Sequence, residues 1–254
     1  MGNLLKAELF KLRKSFHYKL LLLFPFGIGL IFGGLIYYYD SQTVGMRMFS
    51  VWGTGTLYNA ALISIFAAEY IGSEFANRTF AASISCGAPR RRLFAVKCII
   101  FFLALLPLIY IQDLTTFLIL SYKNGLGIAW NMETAAYIAN KIFCSSLCNL
   151  TMGSFILLLA FCVKSKIVTI GLGLCSVYLL NLLHINARSQ MLQKVLRFTF
   201  PYQLEEIGRD SSEFMRIRYF HEPVTTEQIL ISSLIAIVIL TLTALWVFQK
   251  SDLK

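Results

Sequence analysis

The stretch Glu69-Tyr-Ile-Gly-Ser-Glu74-Phe75-Ala-Asn-Arg78-Thr79, then 80–86, then Gly87-Ala-Pro89-Arg90-Arg91-Arg92, decides the fold. One hydrophobic run ends where it begins, and another starts near Lys97 where it stops. The segment between them is short and polar, with a helix terminator and a basic cluster. It reads as a linker between two membrane spans, placed to touch something beside the membrane.

The 254 residues are 57% hydrophobic and only 14% charged, with a mean hydropathy of +0.67. A soluble domain is nearer a quarter charged, so the chain reads as an integral membrane protein. Runs such as 20–24 and 229–240 do not alternate, which argues for helices and against a lipid-facing barrel. The net charge of +10 would suggest a nucleic-acid partner in a soluble protein. Here it serves as a topology signal, and no nucleic-acid partner is expected.

A helix needs about 20 apolar residues to cross the hydrocarbon core. Six such spans are expected, at 19–39, 51–71, 93–120, 135–163, 167–185 and 229–248. Residues 2–17 precede them as an amphipathic interfacial helix. Leu5, Leu9, Leu12 and Phe16 recur at helical spacing, lysines occupy the other faces, and Asn3 is placed to cap the start. No cleavable signal peptide is evident. Gly29 and Gly33 permit close helix approach. Pro107 predicts a kink, and Thr225 with Gln228 predicts a capping box into the last span. The segment 186–228 reads as a compact extracellular cap.

Fourteen Lys and Arg fall in the segments on the N-terminal side of the membrane and nine on the other. Six of those nine lie in 186–228, where six acids cancel them. The positive-inside rule then puts both termini in the cytoplasm.

No phosphate-binding loop is present, since no Gly-Lys pair occurs. His17, His184 and His221 are scattered, and the six cysteines match no metal spacing. No nucleophile sits in an elbow setting. The chain carries no catalytic or metal-binding pattern, and no cofactor of its own is expected.

Residues 74–86 fit about three helical turns. Gly87 suits the C-terminus and Pro89 prevents continuation. Glu74 at the start and Arg90 past the end have the sense the helix dipole favours. Asp113 and Lys141 lie within spans that run back along each other, where they either pair in a salt bridge or lie near the interface and snorkel to water. Asn149, with Ser145, Ser146, Thr151 and Ser154, could face a pathway or a dimer seam, though such residues more often glue helices together.

The pattern Glu74-Phe75, Arg78-Thr79 and 87–90 with Lys97, set between two spans, resembles the permease subunits of type-2 ABC exporters. That resemblance implies an all-α fold with six spans and a cytoplasmic coupling helix at 74–86. It also implies docking of that helix, through Glu74, Phe75, Arg78, Thr79, Phe80 and Arg90, on a separate ABC ATPase subunit that holds ATP and Mg. It further implies a homodimer or a pair with a related permease in a bacterial cell membrane, exporting a peptide-like substrate. The family often has glycine where this chain has Arg78. Lipid-linked glycan or small drugs are alternative cargoes, and a non-transporting anchor or sensor for an ATPase is the alternative role.

Overall fold

A computed structural model describes residues 2–39, 53–125, 131–185, 190–209 and 225–251. The expected loops carrying Arg47 and Trp130, and the charged stretch through Arg218, lie outside the described residues. Those that are described form helices joined by short turns, with no strand among them.

In chain order these are α1 (Gly2–Lys14), α2 (Phe16–Tyr39), α3 (Thr56–Ala67), a π turn (Ala68–Gly72) and α4 (Ser73–Ala76). There follow α5 (Thr79–Ser85), α6 (Arg90–Asn124), α7 (Met132–Val163) and α8 (Lys166–Ile185). The last are α9 (Gln190–Leu196), α10 (Phe200–Arg209) and α11 (Thr226–Lys250). Ser15 separates α1 from α2, and its hydroxyl accepts the Tyr18 amide at 3.4 Å. Asn3 lies inside the first turn of α1 and does not precede it.

Five helices are long and apolar enough to cross a membrane, which makes this a multi-pass membrane protein: α2, α6, α7, α8 and α11. The expected span at 51–71 is not among them, because α3 has only 12 residues before the π turn. The rod nevertheless stays helical from Thr56 to Ala76. It packs against α6, α7 and α8. Ala60, Ile63, Ala67, Ala68 and Ile71 are fully buried, and so are the polar Asn59 and Ser64. By contrast α2 and α11 bury only 17% of their apolar windows, against 61% for α7. Their outer faces, with Leu23, Ile31, Ile235 and Leu242, are bare.

The close approach expected at Gly29 and Gly33 is present. A Cβ on Gly29 would meet the Gln112 carbonyl at 2.6 Å, and one on Gly33 would meet Ile119 at 2.7 Å. Thr116 Oγ1 donates to the Gly29 carbonyl across this α2–α6 seam at 3.2 Å. α6 continues through Pro107 as one helix. The capping box forms, with Gln228 N donating to Thr225 Oγ1 and Thr225 N to Gln228 Oε1, both at 3.4 Å.

Part of the expected cap at 186–228 is instead an element of the bundle. α10 presents Phe200, Leu204 and Ile207 along one stripe, and all three are buried. Leu204 and Ile207 join Cys144, Cys148 and Ile229 in a second small core between α7 and α11. Gln203 crosses the same seam and donates to Ser232 Oγ at 2.7 Å.

Candidate functional site

The segment that opened the sequence lies at the end of the bundle where α1 sits. The helix expected over 74–86 is two helices, α4 and α5, joined at Asn77 and Arg78. Arg78 is left-handed with φ 55°. That conformation costs a non-glycine residue about 1 kcal/mol or more. The Thr79 hydroxyl bonds back to the Glu74 carbonyl at 3.2 Å and holds the corner. Glycine would take this corner without strain.

Glu74 does not serve as a free acid at a helix start. Lys97 Nζ, 1% exposed, donates to Glu74 Oε1 at 2.6 Å and to Glu8 Oε2 at 2.5 Å. Lys11 Nζ donates to the other Glu8 oxygen at 3.0 Å. Tyr70, carried by the π turn, donates to Glu8 at 3.5 Å and lays its ring 4.7 Å from the Lys97 ammonium. One lysine on α6 thus ties α1, the π turn and α4 together. Burial pushes the Glu8 carboxyl up, but Lys97 and Lys11 outweigh it, and the group settles below its ordinary 4.5. Burial pulls Lys11 down, and its bond to Glu8 with the charge of Glu74 nearby outweighs that, leaving it above its ordinary 10.5. Beside this cluster Lys166 bonds both oxygens of Glu69 at 3.2 Å, fixing the start of α8 to the π turn.

Under the ion cluster lies an aromatic one. The Phe75 and Phe80 rings meet at a tilt with centroids 4.8 Å apart, and Phe80 meets Phe248 of α11 at 5.2 Å. Phe94 and Phe161 close the group at 5.1 Å. Phe80 is 1% exposed. Phe75 and Phe80 therefore face inward and bind this segment to its own bundle; no partner can reach Phe80. Arg90 also turns inward. Its guanidinium donates to the carbonyls of Gln249 and Ser251 at 2.8 and 3.1 Å, satisfying the last turn of α11. The surface left for a partner comprises Ala76, Asn77, Arg78, Ala82, Ser85 and Cys86, all exposed.

Sequence reasoning missed Glu8. The signal was a lone acid in a basic helix, on the same face as Leu5 and Leu12. Lys97 lies two turns inside α6, where a lysine has to find partners.

The other expected polar residues gather at the opposite end. Asp113 and Lys141 do not pair with each other among the described residues. Asp113 Oδ2 accepts the Gly53 amide at 2.7 Å. Lys141 Nζ donates to the Ile207 carbonyl of α10 at 3.2 Å. The intervening Gly53 bend and α10 each supply a backbone group closer than the other side chain. Asn149 faces the interior of the chain. Its amide donates to the Gly53 carbonyl at 2.8 Å, and Asn59 donates to both that carbonyl and Asn149 Oδ1 at 3.0 Å. Gly53 has φ 70°, and a Cβ there would meet the Tyr110 ring at 2.8 Å. Ser145, Thr151 and Ser154 are buried and bond within the protein. Ser145 accepts from Tyr110 of α6, Thr151 also reaches the Ser233 carbonyl of α11, and Ser154 bonds back to Leu150 in its own helix.

Two cavities are associated with these ends. One of about 610 Å³ runs between α1, α2 and the α3 rod, with Leu12, Phe24 and Phe66 on its wall and Glu69 and Lys166 at its rim. One of about 240 Å³ lies beside Gly55 and Asp113. No group of His, Cys, Asp and Glu suited to a metal occurs among the described residues. Comparison of the sequence with protein-family models and with curated proteins gives no match.

Proposed function

We propose that this chain is the membrane-spanning permease subunit of an ATP-driven ABC exporter. In this reading the α3 rod is a sixth span, giving the six that the resemblance implies. α1 and both termini lie in the cytoplasm of a bacterial cell. ATP and Mg are held by a separate ATPase subunit. A second copy or a related permease covers part of the bare faces of α2 and α11. Amphipathic or antimicrobial peptides are the proposed cargo, which suits a chain with 21 Phe and 12 Tyr.

The observation that carries the reading is the anchoring of the α4–α5 segment. Lys97 fixes it to α1 and α6, Phe80 and Phe248 to α11, and Lys166 with Glu69 links the adjoining π turn to α8. A push on its exposed face therefore reaches four helices without passing through a flexible loop. The exposed residues Arg78, Ala82 and Cys86 are where a nucleotide-binding partner would bear.

The test is whether a neighbouring reading frame encodes an ABC ATPase and whether that ATPase, co-expressed with this chain, co-purifies with it and hydrolyses ATP. The ATPase is expected to co-purify. Arg78→Glu with Ala82→Asp is expected to release it or to uncouple hydrolysis from peptide stimulation, with the permease still monodisperse. No bound ATPase would overturn the exporter reading. An ATPase indifferent to every amphipathic peptide would leave coupling standing and remove the cargo.

A further inference from the structure

The larger cavity has an amphipathic wall. α2 packs chiefly against α6 and touches the α3 rod little, so a cleft stays open between them beside α1. On α2 its wall runs from His17 to Phe24, and on the rod from Glu69 back to Leu62. The polar ends of both therefore meet at α1, where Lys11, Ser15 and Lys166 join them. Away from α1 the wall is Leu21, Phe24, Leu62, Ile65 and Phe66. Tyr18 is fixed within it, its ring 5.5 Å from Phe66 and its hydroxyl donating to the Ala104 carbonyl at 3.0 Å. Leu20 and Phe24 are more than half exposed, so the apolar part opens on the bare side of α2.

The charges at the polar end select the sign of an occupant. Glu8 and Glu74 are held by the buried Lys97, and Glu69 by Lys166. Every exposed charge on α1 is positive: Lys6, Lys11, Arg13 and Lys14. Lys11 gives one N–H to Glu8 and its side chain is 58% exposed. An ammonium has three donors, which leaves donors for a ligand at the mouth. Ser15 Oγ accepts the Tyr18 amide and can still donate its own proton. A basic mouth at a membrane surface attracts anionic headgroups and repels the cationic face of a basic peptide. The cavity volume of about 610 Å³ lies within the range of about 300–1,000 Å³ usual for ligand sites. Helix rise from His17 to Phe24 gives it about 10 Å of depth. An apolar wall of that depth is matched by an alkyl chain, whose burial is favourable for each methylene.

We infer that this cavity seats one anionic phospholipid, with its phosphate at Lys11 and Ser15 and an acyl chain between α2 and the α3 rod. The lipid fills the seam that the protein leaves open beside α1. The site does not depend on the exporter reading and requires only that α1 and α2 meet a membrane.

The experiment uses the full chain, delipidated in an uncharged detergent, and counts bound lipid by native mass spectrometry during titration with dioleoylphosphatidylglycerol. Dioleoylphosphatidylcholine supplies the same chains and phosphate with no net charge. One phosphatidylglycerol per chain is expected to bind ahead of any others, about five-fold more tightly than the first phosphatidylcholine. Ile65→Trp sets a larger side chain in the path of the acyl chain and is expected to weaken the first site for both lipids about ten-fold. Lys11→Gln is expected to remove the preference for phosphatidylglycerol, and Lys11→Arg to keep it. Ile65→Trp carries the test if Lys11→Gln does not fold. A graded series of adducts with no distinct first site, or a first site that Ile65→Trp leaves unchanged, overturns the proposal. Equal binding of the two lipids by the wild type also overturns it. A lysine-rich amphipathic peptide that expels the first lipid at equimolar concentration assigns the cavity to peptide and overturns the lipid assignment.

Discussion

The two ends of the bundle both bury polar groups, and they solve the problem in opposite ways. At the α1 end, Glu8 and Glu74 share Lys97, with Lys11 on the outer edge, so charge is balanced by charge. At the other end, Asn59 and Asn149 hold the Gly53 carbonyl with neutral amides, while Asp113 accepts the Gly53 amide. The first arrangement leaves nothing over and locks three elements that are far apart in sequence. The second works through neutral amides on a backbone bend, with Asp113 beside a cavity of about 240 Å³. An ionic cluster that spans three elements makes a rigid mechanical joint.

The largest effect is expected where the comparison is sharpest. Lys97→Met removes the buried cation that Glu8 and Glu74 share, leaves only Lys11 at the edge, and should cost about 3–5 kcal/mol. Unfolding by SDS titration in mixed micelles would measure it. The triple change Glu8→Gln, Lys97→Met, Glu74→Gln should recover much of that loss, since the charges are then removed together. If the triple variant is no more stable than Lys97→Met, the joint is not ionic.

Phe80→Ala should cost about 3–4 kcal/mol by the same measurement, because it opens a cavity among Phe75, Phe161 and Phe248. The loss should appear with no ATPase present, which separates an inward core residue from a docking residue.

Asn149→Ala should cost less, about 1–3 kcal/mol, since Asn59 still satisfies the Gly53 carbonyl. A cost as large as that of Lys97→Met would mean the two ends are equally tightly built.

The smallest effect is on pH dependence, and its sign follows from Glu8. Its carboxyl titrates below 4.5 when folded. The stability it contributes is therefore present above its unfolded value and is lost as pH falls through the folded one. Melting midpoints measured down from neutral pH should drop more steeply for the wild type than for Glu8→Gln. Parallel curves would contradict the pairing.

Much of this was legible in the sequence. Composition and run length gave the membrane helices, because lipid selects for apolar surface and does so residue by residue. Gly29 with Gly33 and Thr225 with Gln228 announced their contacts, since close approach and capping depend on local spacing. A span was expected at 51–71, and the helix found there begins at Thr56 and runs on through the π turn to Ala76, a continuation that local sequence does not announce. The break at Arg78 was not legible, because its left-handed turn is imposed by packing and not by residue type.

Partners across the fold were the other illegible part. Nothing local to Lys97 says that its carboxylates come from α1 and α4. Nothing local to Asp113 says that the Gly53 amide reaches it before Lys141 does. Sequence by itself determined that this protein is a bundle of membrane helices with a polar linker at Glu69 to Lys97, because hydropathy and helix termination are properties of neighbours in the chain. Only the tertiary structure decided that Phe75, Phe80 and Arg90 turn inward, that Arg78, Ala82 and Cys86 are left as its outward face, and that Asp113 accepts the Gly53 amide. Those outcomes depend on which helices come together, and burial and electrostatics act between residues that the chain itself keeps far apart.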